Sequence, residues 1–330
     1  MMTAASVRAE SLNTIHVPSI EQVEAKAEPA VIETITGEMT REGQKDTYKL
    51  TVPADGRVRL EMAELYGYAK VGLYVYDRLG ECVHKAPVCG NGDGLTLKNL
   101  KAGEVYDIEV RQYDKLSKYH LLIGMPKANV IITEVTSIQD AIEFTDQRNT
   151  YTLDVIRDGR VRLEFAEMMA DVSVTLKVFN RLGEEVAGSY VSSNKDGVTL
   201  TGLQAGETYS VVVYYYKGFG DYTLLIGKQK EYIACEPGTM IEDSIEHTDQ
   251  RNVYSLTANT DGDIKFELGN IESGKAVRMR IFNRLKEKLY DSGYMENGDT
   301  CVLKNVQAGQ TYQVQILYSK GFCDYQLTIR

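Results

Sequence analysis

Apolar and polar residues alternate along much of the chain with a period of two. The pattern is clearest in three segments that begin at Arg57, Arg160 and Asp263, where charged residues alternate with apolar ones. Successive side chains of a β-strand point to opposite faces, so this pattern predicts strands with one buried and one exposed face. No stretch of a dozen residues shows the period of an amphipathic helix. The pattern therefore predicts an all-β protein.

The strand pattern repeats with an offset of 103 residues. The sequence DGRVRLE occurs at 55–61 and 158–164, and the sequence TDQRN occurs at 145–149 and 248–252. Solenoid repeats are about 20 to 50 residues long, so this longer period indicates a small self-contained domain in three copies. The segment before the first copy has few aromatic residues and is predicted to be a linker. We divide the chain into an N-terminal tail or linker and three β-sandwich repeats: 1–30, 31–127, 128–230 and 231–330.

Each copy contains short apolar strands that are separated by turn signals. An Arg-Leu pair ends one strand, and an Ala-Gly pair precedes a tyrosine-rich strand, in all three copies. Roughly seven or eight short strands in about 100 residues are typical of an antiparallel β-sandwich. We therefore predict three such sandwiches in tandem.

Charge and hydropathy exclude two classes of partner. The 330 residues carry a formal net charge of -10. An acidic surface repels phosphate backbones, so nucleic-acid binding is not expected. The sequence has no run of 18 apolar residues, so membrane insertion is not expected either.

The first residues leave two cellular locations open. The sequence MMTAAS lacks the charged and apolar regions of a complete signal peptide. However, Val7-Arg8-Ala9 has small or apolar residues at the spacing that signal peptidase reads. The alternatives are the remnant of a secretory leader and an ordinary cytoplasmic start.

Residues that carry catalysis or bind metals are sparse and scattered. Five cysteines show no CxxC spacing, so zinc is not predicted, and Cys82 and Cys89 are either bridged across a hairpin or free. HExxH and GxSxG motifs do not occur. The histidines occupy unrelated repeat positions: His16, His84, His120 and His247. We therefore predict no catalytic residues, no metal ligands and no enzymatic activity.

Two polar motifs are candidate loops. The Asn-Gly-Asp sequence at 91–93 resembles a calcium loop in composition, but it lacks alternating oxygen ligands and a closing glutamate, so a turn is predicted. TDQRN is predicted to be a loop in which Thr or Asp bonds nearby backbone and Arg pairs with a local carboxylate. Ligand binding is the alternative for TDQRN.

The order of motifs resembles the bacterial pre-peptidase C-terminal domain family. Each copy has a strand-opening tyrosine, a DG turn, a VRLE-like strand, an L-x-AG-x-x-Y motif and a final Y-x-L-x-I strand. The family usually has an aspartate just before the first tyrosine. The first copy has Asp46 there, whereas the other copies have Asn149 and Asn252.

The resemblance implies a jelly-roll-like β-sandwich that is usually secreted and attached to bacterial proteases or surface proteins. A fibronectin type III or other immunoglobulin-like sandwich is the structural alternative. Some related collagen-binding domains bind calcium, but their ligands do not match residues in this sequence. No cofactor is therefore predicted, and calcium stays an open alternative.

An aromatic row occurs in the strand VVVYYYK of the second copy. Residues of one parity, including Tyr209 and Val211, are apolar in all three copies and are predicted to face the core. The other parity is apolar and aromatic only in the second copy. Exposed aromatic side chains provide a large contact area at low entropic cost. We predict a binding surface at Val212, Tyr214, Tyr216 and Phe219; the alternative is packing against a neighbouring copy or a linker.

These features favour a noncatalytic, secreted or cell-surface binding and adhesion array. Its expected partner is an extracellular polysaccharide or protein, and several weak sites in one chain would raise the overall affinity. The alternative function is a structural spacer, or an accessory C-terminal region of a secreted protease or surface protein.

Overall fold

The structure, a computed structural model, describes residues 12–19, 21–132 and 136–330. In these residues the chain forms 28 β-strands in six sheets, and its only helix is a 3-10 turn at Tyr66–Tyr68. The chain is therefore all-β, as the period-two pattern predicts. The candidate leader at 7–9 lies outside the described residues.

The six sheets form three β-sandwiches, and each sandwich encloses its own hydrophobic core. We call the sandwiches the first, second and third units. The tail contains β1 (Asn13–His16) and β2 (Glu24–Lys26). The first unit contains β3 (Val31–Met39), β4 (Lys45–Thr51), β5 (Gly56–Ala63), β6 (Val71–Tyr76), β7 (Cys82–Cys89), β8 (Gly94–Leu100), β9 (Val105–Gln112) and β10 (Ser117–Gly124).

The second and third units have the same order of strands along the chain. The second unit contains β11 (Val130–Ile131), β12 (Ser137–Ile142), β13 (Arg148–Asp154), β14 (Gly159–Ala166), β15 (Ser173–Phe179), β16 (Glu185–Val191), β17 (Gly197–Leu203), β18 (Thr208–Lys217) and β19 (Gly220–Lys228). The third unit contains β20 (Ile233–Cys235), β21 (Thr239–Ile245), β22 (Arg251–Thr257), β23 (Gly262–Gly269), β24 (Ala276–Phe282), β25 (Lys288–Asp291), β26 (Thr300–Val306), β27 (Thr311–Lys320) and β28 (Cys323–Ile329).

The two sheets of the first unit have the orders β3-β10-β5-β8 and β4-β9-β6-β7, with antiparallel neighbours. The other units repeat these four-stranded sheets and add one parallel strand to an edge of each sheet. The second unit has the orders β17-β14-β19-β12-β2 and β11-β13-β18-β15-β16. The third unit has the orders β1-β21-β28-β23-β26 and β20-β22-β27-β24-β25.

The tail is not the simple linker that its composition predicts. Strand β1 pairs in parallel with β21 of the third unit, and β2 pairs in parallel with β12 of the second unit. Ile15 packs against the third core, and Ala25 packs against the second core. Edge strands present unpaired backbone N–H and C=O groups, and the tail supplies their partners. We call residues 12–19 and 21–30 the strap.

A pair of tyrosine hydroxyls is hydrogen-bonded inside each sandwich. In the first unit the hydroxyls of Tyr48 and Tyr119 are 2.7 Å apart, and Tyr119 donates a 2.7 Å hydrogen bond to Asp46. A buried hydroxyl requires such an acceptor. The ring of Tyr119 fills the space above Gly37, where an added Cβ would lie 2.2 Å from the ring.

The second unit moves the buried carboxylate to another strand. Tyr151 donates to Asp140, which occupies the position of Gly37, and Asn149 donates a 2.8 Å hydrogen bond to Tyr222. Lys127, from the segment that joins the first two units, forms an ion pair with Asp140, and both side chains are buried. A buried charge requires a partner of this kind. The third unit repeats the network with Lys230, Asp243, Asn252, Tyr254 and Tyr325.

The predicted Asx-Gly turn and the free-thiol alternative for the cysteines are both present. Asn91 accepts a 2.6 Å hydrogen bond from the backbone N–H of Leu65, and Asp93 accepts a 2.8 Å bond from that of Gly90. All five cysteines lie in the described residues and are free; Cys82 is exposed and Cys89 is buried. The loop of 91–93 is therefore a hydrogen-bonded turn, and the hairpin carries no disulfide.

Candidate functional site

Strand β18 separates its side chains between the core and the outer surface as their parity predicts. Val211 and Val213 belong to the second core, and Tyr209 packs against it. Tyr214 and Tyr216 have the opposite parity and lie on the outer face of the sheet. Tyr216 is 59% exposed, so neither a neighbouring unit nor the strap covers it.

A third tyrosine completes this surface from a different strand. Tyr190 of β16 lies opposite Thr175 of β15, and Thr175 lies opposite Tyr214 of β18. The rings of Tyr190 and Tyr216 pack edge to face, with centroids 4.9 Å apart. This arrangement is favourable for aromatic pairs. Tyr190 is 52% exposed, so the pair presents its outer side to solvent.

A cation closes the other side of the surface. Arg148, the first residue of β13, pairs with Tyr214 in the strand register, and its guanidinium lies 5.2 Å from the centre of the Tyr214 ring. A cation above a ring face is attracted by the ring quadrupole. We call Arg148, Tyr190, Tyr214 and Tyr216 the aromatic face.

The other two residues of the predicted surface are placed differently. Val212 lies on the same outer row but is only 8% exposed. Phe219 lies after β18 and stacks on Tyr215, a residue that packs against the core, with ring centroids 5.7 Å apart. The structure therefore brings Tyr214 and Tyr216 together with Tyr190, whereas Phe219 stacks on Tyr215.

Tyr190 was missed because its partners are distant in sequence. Its place on the surface depends on the register of β15 with β16, which shifts at Val178. Comparison of the three copies gives a weak indication that Tyr190 is special, because the equivalent residues of the first and third copies are Pro87 and Gly293. The tyrosine is therefore peculiar to the second copy, as Tyr214 is, whereas the first copy has Tyr113 at the position of Tyr216.

The TDQRN sequence joins successive units and is not a loop with purely local bonds. In the second unit the backbone N–H of Thr145 donates a 2.9 Å hydrogen bond to Glu61 on β5 of the first unit, and the Thr145 hydroxyl accepts a 2.6 Å bond from Arg59. Asp146 accepts a 2.6 Å bond from Arg57. Arg148 forms the predicted local pair with Asp146 at 4.0 Å, whereas the hydrogen bonds of Thr145 and Asp146 connect the two units instead of remaining local. We call these contacts the first joint.

The second joint repeats most of the first. The hydroxyl of Thr248 donates to Glu164 on β14, and Asp249 accepts a 2.9 Å hydrogen bond from Thr199. Arg162 forms an ion pair of 3.3 Å with Glu164. Burial raises the pKa of Glu164, and the adjacent Arg162 guanidinium opposes this rise.

Local backbone conformation presents these residues to the preceding unit. Gln147 accepts hydrogen bonds from the backbone N–H groups of Glu143 and Phe144, at 2.7 and 3.2 Å, and so holds the loop between β12 and β13. Asp146 has φ of 60°, in the left-handed region. Aspartate tolerates this region better than most residues do.

An aromatic ring of each joint packs on a glycine of the preceding unit. A Cβ at Gly124 would lie 2.3 Å from Phe144, and a Cβ at Gly227 would lie 2.5 Å from His247. The third copy has Arg330 at the equivalent position, and it pairs with Glu267 of the same unit at 3.4 Å. The two glycines therefore make room for the rings of the joints.

The identical repeats are the two complementary halves of the joints. DGRVRLE occurs in the first and second copies, which bind a following unit, and TDQRN occurs in the second and third copies, which bind a preceding unit. At the positions of Arg57 and Arg59 the third copy has Asp263, which pairs with Lys304, and Lys265, which pairs with Glu267. These pairs are internal to the third unit.

The described residues contain neither a cluster of metal-binding side chains nor a membrane-spanning helix. Within the described residues, no three His, Cys, Asp or Glu side chains converge as a metal site requires. This part of the chain also contains no helix with the length and apolarity needed to cross a bilayer. Calcium binding stays an open alternative.

Comparison with known proteins yields distant structural similarity. No protein-family model matches the chain, and no curated protein matches it. A solved pre-peptidase C-terminal domain of collagenase from Bacillus anthracis is similar at 20% identity, over 32% of this chain and 99% of that chain, with a TM-score of 0.26.

Two multidomain structures are also similar. The CUB1-EGF-CUB2 domains of rat MASP-1 have 9% identity and cover 62% of this chain and 99% of that chain, with a TM-score of 0.20. The M60 catalytic domain with two CBM51 domains of Clostridium perfringens ZmpB has 8% identity and covers 87% of this chain and 34% of that chain, with a TM-score of 0.19. TM-scores and sequence identities this low give no information about the activity or the ligand of this chain.

Proposed function

We propose that the chain is a noncatalytic extracellular binding array, and that the aromatic face of the second unit contacts an extended polysaccharide. The observation that carries the proposal is the exposed, edge-to-face pair of Tyr190 and Tyr216 on the outer face of the sheet. Aromatic rings on a rigid sheet lose little entropy when they bind. A matrix protein that packs on the same rings is the alternative ligand.

Hydrogen-bonding groups lie beside the rings. Arg148 and Lys177 are on the strands that flank Tyr214, and Thr175 separates Tyr214 from Tyr190. A sugar ring stacked on tyrosine offers hydroxyl groups at its edge, and such donors and acceptors can bond them. The chemistry of the aromatic face therefore suits a neutral or acidic polysaccharide.

The two joints support a second function, that of a structural spacer. Each joint fixes the following unit through a buried glutamate, Glu61 or Glu164, and through a ring packed on a glycine. Such contacts restrict rotation between units. A rigid array suits a spacer even where no ligand is bound, and it would also hold the aromatic face in a fixed orientation.

Retention on immobilised ligands distinguishes the two functions. We expect the purified chain to be retained on at least one member of a panel of insoluble polysaccharides and matrix proteins. Tyr190→Ser with Tyr216→Ser should lower the affinity at least about tenfold, or about 1.4 kcal/mol. Tyr66→Ser with Tyr68→Ser is the matched control, because these tyrosines of the first unit are 82% and 94% exposed. Retention of nothing, or equal retention of both double variants, would favour the spacer.

A further inference from the structure

A cavity lies between the second and third units, beneath the strap. Its volume is about 330 Å³, and its wall is mostly apolar. Val17 and Pro18 of the strap close one side, Val155 and Val161 of the second unit form another, and Ile233 of β20 completes the wall. This volume is at the lower end of the range of about 300 to 1,000 Å³ that is usual for small-molecule sites.

One cation in the wall lacks a partner. Arg160 is half-buried, and within the described residues its side chain forms neither a hydrogen bond nor an ion pair. Its equivalent at the first joint, Arg57, donates a 2.6 Å hydrogen bond to Asp146. At the second joint the equivalent aspartate, Asp249, instead binds Thr199. The carboxylate equivalent to the one that pairs with Arg57 therefore does not pair with Arg160.

A second arginine reinforces the positive charge beside Arg160. The Nε atom of Arg251 is buried and has no hydrogen-bond partner. Burial lowers the pKa of Arg251, and repulsion from Arg160 lowers it further. Arg251 does not line the cavity, but the repulsion between the two guanidinium groups favours the binding of an anion beside Arg160.

Two other cations of the cavity wall form ion pairs. Arg157 pairs with Glu231 at 2.6 Å, and Lys230 is buried against Asp243 at 2.8 Å. Lys228 and Asp154 also line the cavity, and Asp154 accepts a 2.8 Å hydrogen bond from Thr208. Arg160 is the arginine of the wall that forms no ion pair within the described residues. The site therefore combines an apolar chamber with one guanidinium, that of Arg160, that is available to an anion.

We propose that this cavity binds an amphipathic organic anion, a carboxylate with a short apolar tail, whose carboxylate pairs with Arg160 and whose tail lies among the valine and isoleucine side chains. The guanidinium matches a carboxylate through two parallel N–H donors. The apolar tail is removed from water by the walls, which stabilises the complex. This site is separate from the aromatic face, and it does not depend on the proposed function.

Titration calorimetry with three probes tests the site. We expect octanoate to bind the full chain with one-to-one stoichiometry. Acetate has the charge without the tail, and octylammonium has the tail with the opposite charge, so neither should bind measurably. Arg160→Gln should weaken octanoate at least tenfold, whereas Arg57→Gln at the first joint should leave its affinity unchanged.

A second variant distinguishes a loss of binding from a folding defect. Ile156 lines the cavity and is 48% exposed, so Ile156→Glu places a carboxylate at the wall with little cost to packing. This carboxylate should pair with the guanidinium of Arg160 and weaken the binding of octanoate at least tenfold. The midpoint of thermal unfolding should stay close to that of the parent chain. Failure of octanoate to bind the parent chain would overturn the proposal. Equal effects of Arg160→Gln and Arg57→Gln, or equal binding of octylammonium, would overturn it as well.

Discussion

The backbone N–H of Thr145 donates a 2.9 Å hydrogen bond to the carboxylate of Glu61, which lies 84 residues earlier in the chain. Thr248 and Glu164 are separated by the same 84 residues and are also hydrogen-bonded. One member of each pair belongs to TDQRN and the other to DGRVRLE. The two identical sequences are therefore the matching sides of one type of contact, used twice.

Removal of the arginine that partners Glu61 should destabilise the first joint. The side chains of Glu61 and Arg59 are 2% and 13% exposed and form an ion pair of 3.2 Å. Arg59→Met leaves a buried carboxylate without its cation, so we expect a loss of about 3 kcal/mol in the free energy of unfolding. Urea denaturation followed by circular dichroism measures this loss.

The third unit provides the control for this substitution. Lys265 occupies the position of Arg59 and pairs with Glu267, but the two side chains are 46% and 38% exposed. Lys265→Met should therefore change the free energy of unfolding by less than about 0.5 kcal/mol. Similar losses for Arg59→Met and Lys265→Met would show that burial at the joint has no effect.

Filling the space above Gly124 should also weaken the first joint. A Cβ at this position would lie 2.3 Å from the ring of Phe144, so Gly124→Ala should cost about 1 to 3 kcal/mol. The effect should be smaller in a chain that already carries Phe144→Ala, because the clashing ring is absent. Additive effects of the two substitutions, measured in the same denaturation experiment, would contradict the contact. Arg330→Ala, at the exposed equivalent position, should have little effect.

The second joint should be sensitive to acid, because it contains His247 where the first contains Phe144. Burial lowers the pKa of His247 below its usual value of 6.5; Glu246 opposes the shift, and Arg160 adds to it. The unfolded chain therefore binds the proton first as the pH falls. The joint keeps its full stability above about pH 6.5 and loses at most ~1.4 kcal/mol per pH unit below it.

A single substitution separates this effect from general acid denaturation. His247→Phe restores the residue type of the first joint and removes the titrating group. Between pH 7.5 and 5, thermal unfolding of the variant should shift less than that of the parent chain. Equal shifts in the two proteins would show that His247 does not titrate as its burial implies.

The alternation of side chains in the sequence predicted part of the aromatic face but not all of its residues. The alternation along β18 placed Val211 in the core and Tyr214 and Tyr216 outside, because side-chain direction in a strand depends only on parity. Tyr190 depends on a cross-strand register with an irregularity, which a single sequence does not reveal. Phe219 lies beyond the end of β18, where parity no longer applies.

The joints were not predictable from the residues of one copy. The partners of Thr145 and Asp146 belong to the preceding unit, so local reasoning assigned them to local bonds. A signal was nevertheless present, because each identical sequence is missing from one copy: the first has Gly43 in place of Asp146, and the third has Asp263 in place of Arg57. The strap was missed for a similar reason, since its strands pair with edges far away in sequence.

The most direct test of the central claim is a chemical footprint of the tyrosines. Tetranitromethane nitrates exposed tyrosines, and mass spectrometry locates the modified residues with and without a saturating soluble form of the retained polysaccharide or matrix protein. We expect the ligand to protect Tyr190 and Tyr216, while Tyr68 of the first unit, 94% exposed, is nitrated equally in both samples. Unchanged nitration of Tyr190 and Tyr216 in the presence of bound ligand would contradict a binding role for the aromatic face.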